Sequence, residues 1–343
     1  MQMRALLRRG RADAMVWRMR FSGRGPWTMK SLTVGLLGFG LAGSVFHAPL
    51  IRSEPRMRLT AVASSRIDDI RRGAPGAEAT TAEAVIADPD IDLVVIATPN
   101  TSHAPLAREA LLAGKHVVID KPMATSAAEA DELIELAKRQ GRLLSVFHNR
   151  RWDNDFLTLR ACLEAGEIGR PYHYEAHYDR FRPQIKQGWR ERTLAGSGVL
   201  FDLGAHLIDQ ALTLFGMPDR ILADVGSQRP DAQVDDWFHI VLGYGPMRAI
   251  LHCGTVVCRP GPRFRLLCDG GSFLKHGMDG PGGGPARRPH ADGTQAGART
   301  IRRISPCWPG PTVRNAGWRP FPATIPPTIA GLPPPSSTVL RRR

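Results

Sequence analysis

The tightest constraint on what this chain can fold into is a short apolar run that feeds directly into three spaced glycines. Thr33-Val34-Gly35-Leu36-Leu37 is followed at once by Gly38-Phe39-Gly40-Leu41-Ala42-Gly43. The run predicts a buried strand, and Gly38-x-Gly40-x-x-Gly43 predicts a sharp turn into a helix over about residues 41–51. Such a turn lets a pyrophosphate approach the backbone and lets the helix pack on the strand, with the first N–H groups of the helix facing the phosphate. Taken alone, the spacing also fits an ordinary glycine-rich loop. Residues 31–51 carry no formal charge, a length that could cross a bilayer. Four glycines, His47 and Pro49 interrupt that stretch, which divides into a strand-like and a helix-like half, so a buried strand-turn-helix is the expectation and a membrane span is not.

The residues after the turn give it its context. Strand-like segments at 59–63, 91–97, 116–119 and 143–147 alternate with helix-like segments at 81–87, 105–113 and 126–140. Gly114 and Gly141 stand where helices would end. This alternation predicts a doubly wound α/β domain on a parallel sheet, with a ligand outside the carboxyl ends of the strands. At the end of the second strand an NAD site usually carries an acid for the ribose hydroxyls. Here the sequence reads Ser64-Ser65-Arg66, with no acid before Asp68. Two hydroxyls and a guanidinium suit a 2′-phosphate, so NADP is expected; the alternative is an NAD site beside a surface arginine.

The chain has 343 residues and a net charge of +14, enough length for two domains with separate cores. The charge sits at the ends. Residues 1–30 carry +7 and residues 280–343 carry +9, which leaves residues 31–279 at −2. A folded nucleic-acid-binding face is therefore not expected. The five cysteines, Cys162, Cys253, Cys258, Cys268 and Cys307, form no CxxC pair, so neither a disulfide framework nor a metal site is indicated and a reducing cytoplasm is the expected compartment. Residues 1–29, rich in arginine, read as an extension that is either a targeting peptide or sequence upstream of the true start at Met29. Residues 280–343 hold 13 prolines and ten arginines with almost no periodicity. They read as a disordered tail, either a basic interaction segment or the product of a frame change.

Between 151 and 279 a second domain is expected, with a helix over 151–164, a strand over 172–181, a helix over 199–215 and further strands at 235–242, 249–257 and 264–268. Asp202 and His206 are four residues apart on the second of these helices and share a face, with Asp209 three residues on. An Asp–His pair on a largely apolar helix is either structural or part of a site.

Several motifs give the chain a family likeness. Ala97-Thr98-Pro99-Asn100-Thr101-Ser102-His103, Val118-Ile119-Asp120-Lys121-Pro122-Met123, Phe147-His148-Asn149-Arg150-Arg151-Trp152-Asp153 and Gly196-Ser197-Gly198-Val199-Leu200-Phe201-Asp202-Leu203-Gly204-Ala205-His206 occur in this order, after the motif at 38–51. Over residues 30–279 the chain resembles the Gfo/Idh/MocA oxidoreductases, and within them the NADP-linked scyllo-inositol dehydrogenase-like proteins. The resemblance implies a Rossmann domain at 30–150. An α/β domain with a large, mostly antiparallel sheet would follow at 151–279, truncated if the tail is out of frame.

It also implies a homo-oligomer, where that second domain is intact, and a cyclic polyol or sugar as substrate. Gly38, Phe39, Gly40, Ala42, Gly43, Ser65, Arg66, Thr98, Pro99, Asn100, His103 and Lys121 would bind the dinucleotide. Lys121, Asp202 and His206 would form the catalytic set. His206 is the expected general base, Lys121 the partner of the reacting oxygen or itself the base, and Asp202 a substrate-hydroxyl ligand. The family usually has Glu before the lysine, where this chain has Asp120. Asn149, Arg151, Trp152, Tyr178 and Trp189 are candidates for lining the substrate pocket. A catalytically impaired or cofactor-sensing relative is the alternative function.

Overall fold

In the computed structural model, residues 31–279 and 300–303 are described. The expectations for residues 1–29, and for the rest of the carboxyl-terminal stretch, lie outside the described residues.

The apolar run before the glycines forms β1 (Leu32–Leu37), buried from Thr33 onward. It is followed by a π-helical turn at Ala42–His47 and α1 (Ala48–Ser53). The alternation continues through β2 (Met57–Ala63), α2 (Ile67–Gly73), β3 (Glu78–Thr80), α3 (Ala82–Ala87) and β4 (Leu93–Ile96). Then come α4 (His103–Leu112), β5 (His116–Asp120), α5 (Ala127–Gln140) and β6 (Leu144–Phe147). All six strands run parallel in the order β3-β2-β1-β4-β5-β6, so the chain reverses direction across the sheet between β1 and β4. That reversal opens a crevice at the carboxyl ends of the strands. Two apolar clusters cover the sheet, one holding Leu37, Ile96 and Ile119, the other Leu36, Val62 and Ile70. The hydroxyls of Thr81 and Ser126 cap the amino termini of α3 and α5.

The second half builds α6 (Asn154–Glu164), β7 (Pro171–His177), α7 (Ala205–Phe215), β8 (Arg220–Gly226), β9 (Trp237–Tyr244), β10 (Met247–Gly254), β11 (Phe264–Cys268), β12 (Gly271–Lys275) and β13 (Thr300–Arg303). They form a seven-stranded sheet in the order β13-β12-β11-β7-β10-β9-β8, antiparallel except for the β7–β10 pair. One face, through Tyr174, Ala176, Phe238, Ile240, Leu251 and Phe264, shares a core with Phe156 and Leu159 of α6 and Leu207 and Ala211 of α7. The expected pair of sheets is present, parallel first and mostly antiparallel second.

Several local expectations differ from the structure. The helix expected over 199–215 opens with a π-helical turn at Leu200–Gly204, which breaks the simple four-residue alignment of Asp202 with His206. The strand expected over 172–181 ends at His177 and continues as irregular extended chain as far as a bridge between Phe181 and Val256. The strand expected from Asp235 starts at Trp237, because the carboxylates of Asp235 and Asp236 accept backbone N–H groups instead. α2 buries only Ile70, and β8 is almost wholly exposed, so neither has an apolar period to betray it. Residues 300–303, inside the stretch read as a tail, pair antiparallel with β12. An edge strand needs only free backbone groups, and the composition of a tail does not preclude it. Among the described residues no helix is long and apolar enough to cross a membrane.

Candidate active site

Each of the three glycines does a different job. Gly38 has φ +95°, and a Cβ there would lie 2.5 Å from the Ala97 carbonyl oxygen. A Cβ on Gly43 would lie 2.1 Å from the Gly38 oxygen, so the helix can sit this close to the turn only without one. A Cβ on Gly40 would meet nothing within 4 Å. Gly40 therefore borders open space, where a pyrophosphate could lie against bare backbone, and the turn fits a dinucleotide. Phe39 is buried, with its ring near Gly73, so only its backbone faces the turn.

Ser65 and Arg66 leave the carboxyl end of β2 exposed, and with Ile67, Asp68, Asp69, Arg71 and Arg72 they line a surface depression. Arg71 and Arg72 are tied to Asp68 and Asp69 at 3.2 and 2.5 Å. Among the described residues Arg66 has no such acid, and its exposed guanidinium is available to an anion.

The loop after β4 is pinned rather than open. His103 sets one ring nitrogen 2.7 Å from the Pro122 oxygen and the other 2.9 Å from the Thr98 oxygen. It thereby ties the 98–103 loop to the Lys121–Pro122 motif. The buried amide of Asn100 donates to the Gly196 oxygen at 2.7 Å, joining this loop to the start of the Asp202 segment. His103 and Asn100 thus position the loop, while Pro99 is exposed beside them.

Lys121 comes from the end of β5. Its backbone N–H donates to Asp120 Oδ1 at 2.7 Å, and Asp120 Oδ2 lies 3.7 Å from Nε2 of His47, whose ring packs on Phe147 at 4.4 Å. The shorter Asp120 thus still caps its neighbour and links the lysine motif to the glycine turn. Lys121 Nζ donates to the Asp202 main-chain oxygen at 2.5 Å and lies 3.1 Å from Asp202 Oδ1. Burial alone would raise the Asp202 carboxyl. Lys121 first, then Arg190 and Arg180, outweigh burial and hold it below the ordinary carboxylate range.

His206 is buried on α7, its ring 6.2 Å from that of Tyr178, with Nδ1 free of any hydrogen bond. Burial, and after it the charges of Lys121 and Arg150, push its pKa well below the ordinary value of 6.5, so the imidazole is neutral at pH 7. Asp202 and His206 are set by a common device: Gly198 (φ +88°) lets the chain turn, and Asp235 Oδ2 accepts the Leu200 N–H at 2.7 Å at the start of the π-helical turn.

Around this centre, Asp209 takes Arg151 through two hydrogen bonds of 2.8 and 2.5 Å and stands 3.7 Å from His148. Arg151 is thereby occupied. Trp152 is 60% exposed, Tyr178 lies under the Arg263 guanidinium, and Trp189 stacks with Arg190. Of the expected pocket residues Tyr178 is brought against His206. Arg190 is not among the expected residues, yet its Nε lies 3.4 Å from Asp202 Oδ1. An arginine-rich loop carries no periodic signal that could place it. On the outward face of the second sheet His177, His252 and His239 stand in register across β7, β10 and β9, as strand residues. Among the described residues no group of three or more His, Cys, Asp or Glu side chains could hold a metal ion.

Two family descriptions match the chain: "Oxidoreductase family, NAD-binding Rossmann fold" over residues 32–148 and "GFO/IDH/MocA C-terminal domain" over residues 156–274. Over 250 residues the chain is 46% identical to the uncharacterized oxidoreductase YdgJ of Escherichia coli, covering 73% of this chain and 72% of that one. It is 42% identical over 258 residues to the scyllo-inositol 2-dehydrogenase (NADP(+)) IolW of Bacillus subtilis, covering 75% and 72%. The solved structure of the oxidoreductase yvaA from Bacillus subtilis superposes with a TM-score of 0.72 at 41% identity, covering 74% of this chain and 73% of that one.

Proposed function

The chain belongs to the Gfo/Idh/MocA oxidoreductase family, and from that premise we propose that it transfers a hydride between NADP and a secondary alcohol of a cyclic polyol or sugar. The observation that carries the reading is the meeting of Lys121, just past the end of β5, with Asp202 of the π-helical turn, which leads into α7 and its buried, neutral His206. A bound nicotinamide ring supplies the hydride acceptor or donor.

The chain's own residues manage the proton and the position. Oxidation of the alcohol releases the hydroxyl proton as the C–H bond gives up its hydride, and neutral His206 is the group that accepts it. The Lys121 ammonium donates to the same oxygen and stabilises the negative charge that grows there. Asp202, held ionised by its cations, accepts from a neighbouring substrate hydroxyl. In the reverse direction the same groups return the proton.

Ser65 and Arg66 favour NADP, because the position that would carry a ribose-binding acid holds hydroxyls and a cation. The similarity to an enzyme named as NADP(+)-dependent supports the same choice. A homo-oligomer built on the second sheet, and a cytoplasmic setting, belong to this reading.

The test is NADPH formation followed by absorbance with a panel of inositols and aldoses, run with NADP and NAD in parallel. Turnover of one cyclic polyol with NADP supports the proposal. NADPH binding with silence on every alcohol overturns it in favour of a non-catalytic, cofactor-binding relative.

A further inference from the structure

Among the described residues, the buried and half-buried arginines are spoken for, with one exception. Arg229 bonds Asp236 and Glu191, Arg263 bonds Gln210 and the His177 oxygen, and Arg150 bonds Asp153. Arg108, Arg160, Arg248 and Arg265 have partners as well. Arg180 is half-buried, yet among the described residues its guanidinium has no hydrogen-bond partner and no carboxylate within 4 Å.

Its placement follows from the backbone. Beyond β7 the chain stays extended, with the N–H groups of Tyr178, Arg180 and Arg182 donating to His252, Gly254 and Thr255. Side chains alternate along extended chain. Asp179 turns to the outward face, toward His177 and His252. Tyr178 turns inward, where its ring meets that of His206. Arg180 therefore shares the inward side with Tyr178, about 6.6 Å further along the strand direction. There the charges of Arg180 and Asp202 act on each other.

Asp202 is already contacted by Lys121 at 3.1 Å and Arg190 at 3.4 Å. Arg180 is thus a further cation beside a carboxylate that other side chains already hold. Partial burial weakens the hydration of this guanidinium, its nitrogens remain open to a ligand, and five N–H donors in a planar fork are suited to two adjacent oxygens.

We propose that Arg180 is a substrate-binding residue that sets specificity, its guanidinium gripping two adjacent hydroxyl oxygens of the cyclic polyol beside Asp202. This inference rests on the polyol reading above. It assigns the fork to a neutral vicinal diol, which keeps its oxygens a fixed distance apart on a ring.

The test uses the full chain with NADP and compares wild type, Arg180→Ala, Arg180→Lys and Arg182→Ala on scyllo-inositol, a monodeoxyinositol and glucuronate. Wild type is expected to prefer the inositol to its deoxy analogue. Arg180→Ala should raise KM so that kcat/KM on inositol falls about 10–100-fold and the preference disappears, the size expected for charged hydrogen bonds. Arg180→Lys should recover part of the rate but little of the preference. NADPH affinity by fluorescence and Tm should stay unchanged in both, and exposed Arg182→Ala should behave as wild type.

An unchanged preference in Arg180→Ala overturns the assignment, as does a loss of NADPH affinity. A loss confined to glucuronate also overturns it, since Arg180 would then be a carboxylate ligand. Wild type that binds NADPH but is silent on all three overturns the polyol reading itself, and this inference with it.

Discussion

Lys121 and Asp202 join the two sheets: Nζ donates to the Asp202 main-chain oxygen at 2.5 Å and lies 3.1 Å from the carboxylate, across 81 residues of sequence. The contact gives the site its cation and ties the parallel sheet to the second half of the chain. Lys121→Ala should lower kcat by about 10²–10⁴-fold, the range for a positioned proton-transfer or charge-stabilising group. NADPH binding, read by fluorescence, should weaken far less than turnover. Asp202→Asn should act mainly on KM for the polyol, because it keeps the side chain's shape and removes its charge. Near-normal turnover in both variants would refute the assignment.

His206 makes a prediction about pH. Its burial, then Lys121 and Arg150, depress its pKa well below 6.5. A base must be unprotonated to act, so the acid limb of kcat/KM should lie well below pH 6.5 rather than at the value of a free imidazole. The stability consequence has a definite sign. The unfolded chain binds a proton at this histidine near pH 6.5, while the folded chain does not until lower pH. His206 therefore costs stability as pH falls below 6.5, and His206→Gln should show a smaller loss of Tm over that range. An acid limb centred at 6.5 in wild type would contradict this picture.

Asp153 gives the opposite sign. It is almost fully buried beside Arg150, and burial, opposed by Arg150 and reinforced by Asp155, raises its pKa to about 6 from 3.8. Between those values the folded chain binds a proton that the unfolded chain has lost, so this group's contribution to stability falls as pH rises from about 4 to 6. Asp153→Asn should flatten that part of the Tm–pH curve. An identical slope in the variant would mean that Asp153 titrates normally.

On the proposed NADP reading, cofactor choice rests on Arg66, exposed at the end of β2 with no acid among the described residues to occupy it. Arg66→Ala should weaken NADP by about 10–100-fold, as loss of a charged hydrogen bond would, and leave NAD nearly unchanged. Steady-state KM values for the two cofactors read this directly, and equal losses for both would remove Arg66 from the 2′-phosphate site.

Much of the fold is legible in the sequence because it is written in local chemistry. The strand before Gly38, the cap at Gly141, and the alternation that builds the parallel sheet all depend on neighbours in sequence. The juxtaposition of Lys121 with Asp202 is not local; only family resemblance hints at it. The π-helical turn at Leu200–Gly204 and the capture of its first N–H by Asp235 depend on a residue 35 positions away. Arg190, which shares Asp202 with Lys121, sits on a short turn in an irregular loop with no period to read. β8 exposes Ile221 and Leu222 and owes its strand to pairing with β9, which no pattern within it could announce.

The glycine turn allows fold and cofactor binding to be separated. Gly40 borders open space, so Gly40→Ala should leave Tm near wild type while its new methyl group stands where the pyrophosphate would approach. NADPH affinity should fall by at least about tenfold. Gly43→Ala places a Cβ 2.1 Å from the Gly38 oxygen, which is backbone and cannot step aside. The turn or the helix after it must shift, at a cost of about 1–3 kcal/mol, and Tm should fall by several degrees even without cofactor. Thermal melts with and without NADPH distinguish the two. A Gly40→Ala protein that binds NADPH normally would move the pyrophosphate away from this turn, and a Gly43→Ala protein as stable as wild type would show that the helix has room to move.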